Sequence, residues 1–140
     1  MVEDYAGDLS PDEAWTLLEQ DPAAQLVDVR SDAEWRYVGL PALRSLGKDV
    51  HRVSWQIFPD MKLNPDFAEA VAACGLAKEQ PLLFLCRSGV RSKHAAVALT
   101  ALGYGRCYNV AEGFEGDRDD EGHRGNKGGW KRRGLPWLQE

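Results

Sequence analysis

Three cysteines in 140 residues are too few and too widely spaced for a disulfide framework. Cys74, Cys86 and Cys107 form no CxxC pair, and His51, His94 and His123 are scattered, so a zinc pattern is missing as well. No uninterrupted apolar stretch nears the length of a membrane span. The opening Met1-Val2-Glu3-Asp4-Tyr5 has neither the basic nor the apolar segment of a secretory signal. Positive charge is also short: 17 Lys and Arg against 22 Asp and Glu leave a net charge of −5. Such a chain has no broad basic face for nucleic acid. These absences imply a reducing, cytoplasmic setting with no nucleic-acid partner, no membrane and no metal. Internal repeats are missing too.

What is present is ordinary globular chemistry, 44% hydrophobic and 28% charged. The length fits one domain over residues 1–140 that can bury a core unaided. Ser10-Pro11-Asp12-Glu13 predicts a helix start, with Ser10 as cap and Pro11 at the first helical position, and Asp21-Pro22 ends that helix. Gln25 to Val29 predicts a strand, and Ser31 with Glu34 a second cap. Leu40 to Gly47 is expected as a loop, His51 to Trp55 as a weak strand, and Asn64-Pro65 as the cap of a helix running to about Ala73. Pro81 to Leu85 predicts a buried strand, Arg91 to Leu102 an amphipathic helix, and Arg106 to Val110 a further strand. Strands alternating with helices at this spacing argue for a parallel α/β sheet. Glu112 to Gly129 is glycine-rich, charged and nearly without apolar residues, so it is expected to be either a functional loop or a mobile one. Trp130, Leu135, Pro136 and Trp137 then dock the tail.

The richest chemistry lies in Cys86-Arg87-Ser88-Gly89-Val90-Arg91-Ser92, a strand-to-helix loop. A helix N-terminus and adjacent cations favour the charged form of a thiol. Gly89 lets the backbone turn so that successive N–H groups face an anion. The loop therefore reads as a cradle with Cys86 as nucleophile in its floor. Arg91 is expected to bind the anion, with pairing to a carboxylate as its alternative. Arg87 either attracts substrate or is a solvated charge. Ser88 and Ser92 either hydrogen-bond the sulfur or cap the helix. Asp28 and Arg30, at a strand's C-terminal end, are expected to form an internal salt bridge that props the loop. Cys74 and Cys107 read as core. A phosphate or a single sulfur could occupy the cradle. Cysteine phosphatases separate their Cys and Arg by five residues, and here four intervene, which favours the smaller cargo.

These features resemble the single-domain rhodanese (thiosulfate sulfurtransferase) family. The resemblance rests on the Cys86–Ser92 loop and its helix, on Val27-Asp28-Val29-Arg30 and Glu34 upstream, and on Gly103-Tyr104, Asn109-Val110 and Glu112-Gly113. Trp130-Lys131 and Gly134-Leu135-Pro136 complete it. It departs from the family at Gly39-Leu40-Pro41-Ala42, where many members carry a histidine, and in the charged insertion at about 113–129. It implies a five-stranded parallel sheet with helices on both faces and a ping-pong reaction without a cofactor. Cys86 would take sulfur from a small-molecule donor such as thiosulfate and pass it to a thiol or cyanide, with a protein as a further acceptor. The alternatives are a sulfur-delivery module for a protein partner, and a phosphatase-like or arsenate-reductase-like enzyme using the same cysteine.

Overall fold

Two reciprocal caps start the first two helices. Ser10 Oγ accepts from the Glu13 N–H at 3.1 Å while Glu13 Oε1 accepts from the Ser10 N–H at 2.8 Å, opening α1 (Pro11–Gln20). Ser31 and Glu34 repeat the arrangement at α2 (Asp32–Tyr37). The end of α1 is closed by Lys48, whose Nζ donates to the carbonyls of Leu18, Asp21 and Ala24 at 2.6, 2.8 and 2.7 Å. The computed structural model describes residues 5–57 and 62–139. The first four residues, read above for a leader, lie outside them.

Five parallel strands form the central sheet: β1 (Gly7–Leu9), β2 (Gln25–Asp28), β4 (His51–Arg52), β7 (Leu82–Leu85) and β8 (Cys107–Val110), in the order β1-β8-β7-β2-β4. The middle strand β7 is buried along its whole length, as its continuous apolar sequence requires when both faces are covered. On one face, α3 (Phe67–Ala73) and α4 (Val90–Ala101) bury Phe67, Val71, Ala96 and Leu99 against Val27, Leu82 and Phe84. On the other, α1 packs Ala14 and Leu18 with Leu26, Leu83, Leu85 and Trp130. Each large apolar side chain so buried contributes about 1.5–3 kcal/mol. This is an α/β fold with helices on both faces, and among the described residues no helix is long and apolar enough to cross a membrane.

Several short elements have no counterpart in the sequence reading. Edge strand β1 pairs Asp8 with Asn109 in register. The stretch expected as a loop after Gly39 contains β3 (Leu40–Pro41), which pairs antiparallel with β9 (Trp137–Leu138), and a 3₁₀ turn at Arg44–Leu46. A second small pair joins β5 (Gln56–Ile57) to β6 (Lys62–Leu63). Helix α3 begins at Phe67 rather than directly after Asn64-Pro65, because the Asn64 side chain accepts from the Asp66 N–H and forms a separate turn first. The tail docks as expected: Trp130 is fully buried and its Nε1 donates to the Pro136 carbonyl at 2.7 Å.

Candidate active site

The carboxyl end of β7 delivers Cys86 to the N-terminus of α4, where parallel α/β sheets collect their chemistry. Gly89, at φ +106°, turns the chain and aims its N–H at Cys86 Sγ, 3.1 Å away. Ser92, fully buried one turn into α4, places Oγ 3.1 Å from the same sulfur and 2.6 Å from Asn109 Oδ1. The sulfur is thus buried and met by polar groups from both the loop and the helix.

A second segment fixes the outer side of this loop. The N–H of Phe114 donates to the Cys86 carbonyl at 2.8 Å, and those of Glu115 and Gly116 donate to the Arg87 carbonyl at 3.0 and 3.1 Å. Taking up the carbonyls from outside leaves the inward face to N–H groups. The approach is close enough to demand glycine at 113. A Cβ there would lie 2.5 Å from the Cys86 carbonyl oxygen and 2.6 Å from that of Arg87. Phe114, fully buried, carries the Arg30 guanidinium over its ring at 4.3 Å. Asp28 and Arg30 form the expected salt bridge, at 2.7 Å with both side chains fully buried, and Arg30 also donates to the Gly39 carbonyl. The pair therefore reaches the Cys86 backbone through Phe114.

Arg91 turns to α2. Its two terminal nitrogens meet the two Glu34 oxygens at 2.8 and 2.9 Å, a bidentate pair between α4 and α2. Burial acts to raise the Glu34 carboxyl, but the Arg91 hydrogen bonds and charge outweigh it and hold it below its ordinary value. Burial likewise works against the Arg91 charge, and Glu34 reverses that too. Arg91 is thus a brace whose charge also acts on Cys86, with both of its terminal nitrogens engaged by Glu34.

The sulfur opens into a cleft of about 450 Å³ lined by Glu34, Gln56, Cys86, Arg87, Ser88, Val90, Arg91 and Arg124. Arg124 comes from the 113–129 segment, which the sequence reading left without any site residue. It is held by its Nη1 on the Gly116 carbonyl at 2.8 Å. Partial burial first, then the like charges of Arg87 and Arg118, push the Arg124 guanidinium below its ordinary range. Cations crowded at one mouth in this way favour an anion between them. The segment is tied by its own contacts: Asp119 accepts from the N–H groups of Glu121 and His123 and from Asn126 Nδ2, while Glu112 clasps the Gly129 N–H and Arg133.

The remaining residues sit elsewhere. Cys107 is buried, and burial pushes its thiol up to about 11; Cys74 is half-buried and shifted in the same direction by burial. His94 and His123 are exposed, and His51 faces Gln25 at 3.1 Å. Asn109 carries no site signal in its local sequence; its contact with Ser92 comes from the parallel pairing of β7 and β8, which no local spacing encodes.

A family profile described as the STR4 middle domain matches residues 6–140. The crystal structure of Rv0390 from M. tuberculosis superposes with a TM-score of 0.89 at 46% identity, covering 98% of this chain and all of that one. An uncharacterised protein of Rickettsia conorii is 40% identical over 125 residues, 89% of this chain and 90% of its own. The thiosulfate sulfurtransferase GlpE of Actinobacillus pleuropneumoniae is 26% identical over 129 residues, 92% of this chain and 90% of its own.

Proposed function

This chain belongs to the rhodanese-like family, in the branch described as the STR4 middle domain, and on that premise we propose that it is a sulfurtransferase carrying sulfane sulfur as a Cys86 persulfide. The observation that carries the reading is a buried sulfur at the floor of a cleft, met at 3.1 Å by the Gly89 N–H and Ser92 Oγ, beneath a mouth holding Arg87 and Arg124. The Gly89 amide suits a small sulfur anion, and the arginines suit the charged end of its donor.

Taking thiosulfate as donor, the Cys86 thiolate attacks the outer sulfur. The new S–S bond forms as the S–S bond of thiosulfate breaks, and sulfite leaves with the electron pair. The resulting persulfide anion then gives its outer sulfur to cyanide or a thiolate, which restores the Cys86 thiolate. Charge balances in both steps without an outside oxidant or reductant. Arg87 and Arg124 hold the departing sulfonate end, and the Gly89 N–H faces the sulfur in each state.

Incubation with thiosulfate, read by intact mass and sulfite release, tests this. Wild type gains one sulfur and Cys86→Ser gains none. Hydrolysis of a phosphate ester without persulfide formation overturns the reading in favour of a phosphatase. Persulfide that forms but is not passed to cyanide or small thiols replaces catalysis with delivery to a protein partner.

A further inference from the structure

Ser92 Oγ lies within hydrogen-bond distance of two groups, Cys86 Sγ at 3.1 Å and Asn109 Oδ1 at 2.6 Å, yet a hydroxyl has one proton to give. Asp8 decides where it goes. On β1, its carboxylate accepts from Asn109 Nδ2 at 3.0 Å and from the Tyr5 hydroxyl at 2.9 Å. A carboxylate only accepts, so the Asn109 amide must turn its NH₂ to Asp8 and its oxygen to Ser92. That oxygen in turn only accepts, so the Ser92 proton goes to Asn109. Ser92 then faces Cys86 with a lone pair.

We propose that Asp8 and Asn109 are positioning residues that fix Ser92 as an acceptor toward Cys86, so that of the two groups 3.1 Å from the sulfur only the Gly89 N–H donates to it. A thiol gives its proton to Ser92. A bare thiolate meets an oxygen lone pair, and relief requires Ser92 to abandon the Asn109 oxygen 2.6 Å away. The inference concerns the thiol itself and stands whether or not thiosulfate is the donor. Charged groups also surround the sulfur: Arg87 and Arg91 on its own loop and helix, Glu34 paired with Arg91, Arg124 across the cleft, and the Asp28–Arg30 pair behind Phe114. These add a field, whereas the Asp8 chain sets a direction.

That distinction makes the test. The rate of Cys86 alkylation by iodoacetamide is followed against pH on the full chain, with the modified peptide identified by mass. Asp8→Leu removes the acceptor, frees the Asn109 amide to turn its NH₂ toward Ser92, and lets Ser92 donate to sulfur. Alkylation on the acid limb is expected to rise about threefold to tenfold, the worth of one hydrogen bond. Asp8→Asn removes the charge but keeps an oxygen for Asn109 Nδ2, and its profile should stay within about twofold of wild type on the same scale. Adding Ser92→Ala to Asp8→Leu should cancel the gain. An unchanged profile in Asp8→Leu overturns the proposal. So do equal gains in the Leu and Asn variants, or a gain that survives Ser92→Ala, because both point to charge alone.

Discussion

The floor and the mouth of the cleft are built from opposite materials. Beneath Cys86 lies β7, four consecutive apolar residues with no exposed side chain, clamped between helices. Across from it, the 113–129 segment holds Arg124 on the Gly116 carbonyl and is itself tied by Asp119, which takes three donors. Apolar burial fixes where Cys86 sits, since slipping a strand buried on both faces disrupts packing on both layers. Polar loops tolerate change far better, so the charge at the mouth can vary while Cys86 stays in place. The two materials meet at Gly113, where one backbone lies on the other.

Breaking that joint should have the largest effect. Gly113→Ala drives a methyl into the Cys86 and Arg87 carbonyls, costing about 3 kcal/mol and loosening the sulfur's loop. Urea melts and persulfide loading should both fall; a variant as stable and as readily loaded as wild type would show that floor and mouth are independent. Next comes the mouth alone. Arg124→Ala should raise the thiosulfate KM about tenfold, the loss of one charge-assisted contact, with kcat and the urea midpoint nearly unchanged. A matching fall in kcat would move Arg124 into the chemical step, and an unchanged KM would return the segment to a purely structural role.

The smallest effect sharpens the floor's own brace. Because Glu34 is held below its ordinary 4.5, the stability it adds is fully present above that value and is lost as pH falls through its lowered one. Glu34→Gln should therefore cost about 1 kcal/mol near neutrality, and the gap to wild type should close in acid. Melts showing a constant gap across that range would assign the loss to packing rather than charge.

The floor was legible in the sequence because its signals are local. Two capping boxes, an apolar run and a Cys-to-Arg spacing each occupy a few consecutive residues, and the structure places the elements within a residue or two of them. The mouth was not. Arg124 sits in a charged stretch with no period, and its place depends on a clasp between Glu112 and Gly129. That stretch also hid Phe114, whose burial against Arg30 belongs to tertiary packing. Edge strand β1, Gly-Asp-Leu, carries two residues that disfavour strands and exists because β8 offers a free side. Leu40–Pro41 is a strand only because Trp137–Leu138 returns to it.

The Asp119 node also bears on temperature. A loop tip tied by hydrogen bonds exposes little apolar surface when it opens, so its opening carries little heat capacity. The apolar floor follows a curved stability dome, flat near room temperature, whereas such a tip loosens steadily on warming. Warming should therefore release Arg124 well before it disturbs Cys86. Under the proposed sulfur transfer, the protein over that interval keeps Cys86 in place but discriminates less between strongly and weakly charged donors. On that reading selectivity, and not only rate, is a thermal property of the chain.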